Sequence, residues 1–138
     1  MSQKTSIGCP YGFERHLGRV TFDEALEHVI GALKTEGFGV LTRIDIQDTF
    51  KKKLDVDFRR YVILGACNPS LSYRALTTDA QIGLLLPCNV VVQEAPDGGV
   101  VVSIADPHTM FSLVGNPDLT PVVAEADQRL RRVIASLE

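Results

Sequence analysis

The chain has 138 residues, 45% of them hydrophobic, which suffices for a buried core without disulfide staples. Its net charge of -3 and pI near 5.6 exclude a whole-surface attraction to nucleic acid or anionic lipid. No apolar stretch of signal-peptide length opens the sequence, and the longest apolar run, broken at Pro87, is too short for a bilayer, so a cytoplasmic protein without a membrane segment is expected.

Residues 1–10 read as a polar tail carrying Cys9, and 11–138 as a single domain. Tyr11 to Val20 fits a first strand, weakened by Gly12 and Gly18. Thr21-Phe22-Asp23-Glu24 is a capping box: the threonine oxygen accepts from an orphan backbone donor and Glu24 returns the contact. The helix it starts carries an apolar stripe of Phe22, Leu26, Val29, Ile30 and Leu33, and Gly37 stops it. From Phe38 the period becomes two, so Phe38, Val40, Thr42, Ile44 and Ile46 are expected on one strand face.

"DIQDTFKKKLDVDF" fits a short helix with Phe50 and Leu54 turned inward, and "RRYVILGAC" a strand. "PSLSYRALTTDAQIG" fits a short helix or pair of turns starting at Pro69. "LLLPCNVVVQEA" and "GVVVSIADP" flank "PDGG", whose Asp97-Gly98 signals a hairpin because both residue types readily accept positive φ, so these strands should pair antiparallel. Thr120-Pro121 reads as a cap followed by proline at the first position of a last helix, with Ala126, Leu130, Val133, Ile134 and Leu137 as its buried stripe. The order β-α-β-(α)-β-(α)-β-β-α describes an α+β fold: a mainly antiparallel sheet of about five strands with two main helices on one face.

With these elements in place, "EGFGVLTRIDIQDTFKKKL", "ILGACNPSLSYRALTTD" and "GLLLPCNVVVQE" together resemble the Domain of Unknown Function 302 family, in motifs running from about Val20 to about Asp106. The resemblance implies a TATA-binding-protein-like α+β arrangement of two main helices on an antiparallel sheet. It implies no reaction, since the family is named for lacking one. Likeness of fold to a DNA binder does not transfer DNA binding.

The candidate site lies in the two cysteine motifs, Cys67-Asn68-Pro69 and Pro87-Cys88-Asn89. If their strands are neighbours, the thiols meet at one end of the sheet, where a disulfide, a shared soft metal, or a nucleophile with a resolving partner becomes geometrically accessible. The competing reading is that both cysteines pack as small apolar groups, and it is the simpler one. No Cys-x-x-Cys pair or histidine-rich spacing is present, so no metal is expected, and no cofactor can be named. Asn68 and Asn89 either satisfy backbone groups at a turn or orient a polar ligand. Pro87 cannot donate to a ladder and marks an edge, a bulge or a strand entry.

Arg74, on the segment between the two motifs, either binds an anion over that end of the sheet or is a surface ion-pair partner. His108, a lone histidine after the last strand, carries little signal. Lys51, Lys52, Lys53, Arg59 and Arg60 form a basic cluster, but Asp48, Asp55 and Asp57 interleave and few aromatics accompany it, so a solvated face is favoured over nucleic-acid binding.

The residues therefore point to a ligand-binding or protein-interaction domain with no assigned reaction, using Cys67, Asn68, Arg74, Cys88 and Asn89. Self-association as a homodimer is expected from the apolar strands of so short a chain. The alternative is a thiol-dependent redox or sulfur-handling protein acting through Cys67 or Cys88.

Overall fold

The computed structural model describes residues 9–137, and among these five strands and five helices follow one another. They are β1 (Gly12–Leu17), α1 (Phe22–Thr35), β2 (Gly39–Asp45), α2 (Ile46–Leu54), β3 (Tyr61–Cys67), α3 (Pro69–Thr78), β4 (Cys88–Glu94), β5 (Val100–Ala105), α4 (Pro107–Phe111) and α5 (Thr120–Ser136). Short 3-10 segments at Ala80–Leu85 and Pro117–Leu119 complete the order. Most of the expected polar tail, residues 1–8, lies outside the described residues.

The strands form one sheet in the order β1-β5-β4-β3-β2, antiparallel throughout. One face carries the core. Val62, Leu64 and Ala66 of β3, Val90 and Val92 of β4, and Val100, Val102 and Ile104 of β5 are buried against Leu26, Val29 and Leu33 of α1 and Leu130 and Val133 of α5. The capping box at Thr21 forms as the sequence predicts, with Thr21 Oγ1 accepting from Glu24 N at 3.1 Å and Thr21 N donating to Glu24 Oε1 at 2.9 Å. Leu71 and Ala75 of α3 extend the helical layer over the end of the sheet.

Among the described residues no helix crosses the middle of the opposite face, on which Val101 and Gln93 are nonetheless buried. Register places Ile44, Ile63, Val91, Ser103 and Glu14 in one row across it, and Thr42, Gly65, Asn89, Ala105 and Gly12 in a second. A third row, Tyr61, Gln93, Val101 and His16, is roofed at the β3 end. There the Arg59 guanidinium lies 4.5 Å from the Phe58 ring centroid and Arg59 Nε donates to Gln93 Oε1 at 3.0 Å. Phe58 in turn meets Phe50 of α2 edge-on at 5.1 Å.

Four details correct the sequence reading. In β2 a bulge between Val40 and Thr42 reverses the alternation: Val40 pairs with core-facing Ala66, while Thr42 and Ile44 pair with Gly65 and Ile63 on the open face. Ile46 does not continue the strand but begins α2, because Asp45 accepts from Asp48 N and caps a helix there. Leu54 does not turn inward either; it is exposed. The hairpin turn places positive φ on Gly98 (94°) and Gly99 (79°) rather than on Asp97, with Ala95 N donating to Gly99 O.

The ends of the other helices shift slightly. Thr120 is the first helical residue of α5, not its cap, since the preceding 3-10 turn already bends the chain into helical geometry at Leu119. No basic residue stands in the last turn of α5, and the arginines ahead of it are held by specific carboxylates: Arg131 by Asp127 and Arg132 by Glu36.

Candidate functional site

β4 is the central strand, so Pro87 is not on an edge. It is the entry point: Leu84 and Leu85 lie in the 3-10 segment, the Leu86–Pro87 peptide is cis, and β4 begins at Cys88. The Pro87 ring seats on Gly65. A Cβ at Gly65 would lie 2.8 Å from Pro87 Cγ and would overlap Thr42 Oγ1, so the absent side chain is what lets β2, β3 and the Pro87 entry close together.

Entry at Pro87 fixes Cys88 opposite Ala66 on the core face. Cys67 ends β3 and turns toward α3, where Cys67 Sγ and Ser72 Oγ share a hydrogen bond of 3.0 Å. The two thiols line one small apolar cavity of about 30 Å³ with Phe38, Leu71, Phe111 and Ala126. That volume holds roughly one water molecule and no ligand of substance. None of Cys9, Cys67 and Cys88 is in a disulfide. Burial first, and the neighbouring Cys67 second, push the Cys88 thiol up to about 11. At neutral pH Cys88 is therefore a protonated, weakly polar wall residue, the opposite of the depressed thiol that nucleophilic chemistry requires.

Cys88 has a second side. It also lines a larger cavity of about 140 Å³ between the end of the sheet and α4, with Leu84, Leu85, Leu86, Pro87, Asn89, Ala105, Pro107, Met110 and Phe111. The chain reaches this place because Asp106 caps α4, its Oδ1 accepting from His108 N and Thr109 N, and Pro107 occupies the first turn. Met110 and Phe111 then close the cavity over Cys88. The wall holds no charged side chain; its polar side chains are the Asn89 amide and the Cys88 thiol.

The remaining candidates do other work. Asn68 caps α3, with Oδ1 accepting from Leu71 N at 3.2 Å and Nδ2 donating to Glu36 O at 3.4 Å, so its amide is spent on backbone groups. Arg74 does not reach the thiols; it pairs with Glu125 of α5 at 3.1 Å. Asn89 is exposed at the rim of the cavity, on the open face of the sheet. His108 lies 3.8 Å from Asp127.

The basic cluster is largely paired: Lys51 with Asp55 and Asp57, Lys52 with Asp48, and Arg60 with Asp23. Among the described residues no group of histidine, cysteine and carboxylate side chains is arranged to hold a metal ion. No helix among them is long and apolar enough to cross a membrane.

A two-layer α+β fold of this order, with a capped strand-to-helix turn at Cys67-Asn68-Pro69 and a proline-led central strand at Pro87-Cys88-Asn89, defines a class of small domains. The chain belongs to the family described as Domain of unknown function DUF302, whose model matches residues 13–137. It is similar to a solved structure described as an uncharacterized conserved protein DUF302 from Bacillus stearothermophilus, at 26% identity and a TM-score of 0.86, covering 94% of this chain and 100% of that one. No curated protein matches the chain. Neither finding brings an assigned reaction.

Proposed function

We propose that the chain is a small-ligand-binding domain whose site is the cavity between Cys88 and α4. The observation that carries this reading is an uncharged, mainly apolar wall with one amide at its rim and one protonated thiol within. Such a wall selects an uncharged molecule, because an ion entering it would shed its hydration without a partner. Its volume of about 140 Å³ is close to that of an engineered apolar cavity that binds benzene. The ligand class is thus a small ring or short branched chain with a single hydrogen-bonding group for the Asn89 amide.

The test is a titration of the isotopically labelled protein with benzyl alcohol, followed by amide NMR. Shifts concentrated in Leu84–Asn89 and Met110–Phe111 support the reading. Saturable binding that leaves those amides unmoved, or no binding at all, ends it.

The thiol-redox alternative draws support from the shared cavity of Cys67 and Cys88. It is weakened by the protonated state of Cys88, since the thiolate is the reacting species. Nucleic-acid binding is weakened by the pairing of the Lys51–Arg60 cluster, which leaves little free positive charge. The TATA-binding-protein-like arrangement rests on the same two-layer order of helices on an antiparallel sheet, and supplies no DNA-binding argument of its own.

A further inference from the structure

Between α4 and the start of α5 the chain leaves a cleft of about 330 Å³, more than twice the volume of the Cys88 cavity, with Phe111 as a wall common to both. A short connection builds it. Ser112 N closes α4 on His108 O, Gly115 turns the chain at φ 67°, and Asn116 Oδ1 accepts from Asp118 N at 2.9 Å to start the 3-10 turn that enters α5. The floor is apolar, formed by Phe111 with the buried Leu119 and Val123. Volumes of roughly 300–1,000 Å³ hold small-molecule ligands.

The rim differs in kind from the wall of the Cys88 cavity. Asn116 spends its side-chain carbonyl on the cap, which leaves its Nδ2 amide without a partner among the described residues, and the Thr120 hydroxyl has none among them either. His108 adds an imidazole, whose Nε2 stands 3.8 Å from Asp127 Oδ2. Among the described residues none that lines the cleft carries a carboxylate, and Asp127 behind His108 is itself held by Arg131 at 3.1 Å. Donors without partners, set beside an apolar floor, match an acceptor on an apolar body, and a charged acceptor makes the stronger bond.

We infer that this cleft binds the anion of a small carboxylic acid, its oxygens accepting from Asn116 Nδ2 and Thr120 Oγ1 and its apolar body lying on Phe111, Leu119 and Val123. A charge is accommodated here and not beside Cys88, because Ser112, Pro117 and Thr120 leave the rim exposed to water and the donors meet the carboxylate as it sheds part of its hydration. The two cavities thus sort ligands by charge. The cleft stands or falls independently of whether the Cys88 cavity is filled.

Sodium benzoate titrated into the isotopically labelled full chain, followed by amide NMR against sodium chloride at equal ionic strength, tests it. Saturable shifts should gather at Asn116, Leu119, Thr120 and Val123. Benzyl alcohol, with the same ring and no carboxylate, should leave those four amides nearly unmoved. Asn116→Asp keeps the capping oxygen but exchanges the donor for a negative charge, so affinity for benzoate should fall at least roughly tenfold. Thr120→Val removes a hydroxyl at constant shape and should weaken binding at least roughly threefold. Circular dichroism checks that the variants fold, and Thr120→Val, at an exposed position, decides the matter if Asn116→Asp does not. No saturable shift, benzoate shifts confined to Leu84–Asn89, an equal response to benzyl alcohol, or a folded variant that binds as tightly as wild type overturns the inference. The Cys88 cavity is read from other amides with the uncharged probe, so either site can fail without the other.

Discussion

The rate at which Cys88 is alkylated, followed against pH, probes the environment on which the ligand reading depends. With its thiol pushed up to about 11 by burial and by Cys67, roughly 0.1% of Cys88 is thiolate at pH 8. A free cysteine near 8.5 is roughly a quarter ionised at that pH, so Cys88 should react on the order of 200-fold more slowly before steric shielding is counted. Its rate should still be climbing at pH 10.

Stability follows from the same shift. The fold raises an acid's pKa, so it favours the protonated thiol; that contribution is complete below the unfolded thiol's pKa and is lost as pH rises through about 11. A shift from 9.0 to about 11 corresponds to about 3 kcal/mol. Urea unfolding of the wild type and of Cys88→Ala between pH 8 and pH 11 isolates it, because titration of the lysines and tyrosines is common to both. The stability difference between them should shift against the wild type by up to that amount across the range. A difference independent of pH, or site-resolved alkylation by mass spectrometry that levels off below pH 9, would refute the reasoning.

Three further outcomes are expected. Gly65→Ala forces a Cβ into Thr42 and the Pro87 ring and should cost about 1–3 kcal/mol in chemical denaturation; adding Thr42→Ala should recover part of the loss, and a Gly65→Ala protein as stable as wild type would show that the contact yields freely. Asn68→Ala removes the α3 cap and the bond to Glu36 O and should cost about 1–2 kcal/mol, whereas Asn68→Asp keeps the cap and should lose less; equal losses would mean the cap contributes nothing. The Arg132 guanidinium holds the Glu36 carboxyl below its ordinary value, so its contribution is present above the usual carboxylate range and is lost on acidification. In melts from pH 6 down to pH 3 the gap between wild type and Glu36→Gln should therefore close, and a constant gap would contradict the pairing.

How far the sequence could be read depended on how local each signal was. The capping box at Thr21, the hairpin glycines and the α5 stripe are written in residues a few positions apart, and the sheet and its helices follow from them. The β2 bulge could not be read, because it is set by what β3 and Pro87 place opposite Thr42, and a period-2 pattern is blind to one inserted residue. Of the candidate site, the proximity of Cys67 and Cys88 was legible through strand adjacency.

The walls at Met110 and Phe111 were missed, although Asp106-Pro107 is a cap followed by proline and signalled a helix start. Arg74 was drawn toward the site by sequence position alone, and Glu125, fifty-one residues away, holds it elsewhere. No pattern along the chain announces that pairing.

The most direct measurement of the central claim combines the thiol and the cavity. Cys88 is alkylated at pH 9.5 with and without saturating benzyl alcohol, and each cysteine is followed separately by mass spectrometry. If the cavity beside α4 is the binding site, its occupant covers Cys88, whose labelling should slow several-fold while that of Cys9 does not change. Equal rates for Cys88 with and without a compound shown to bind would contradict the account.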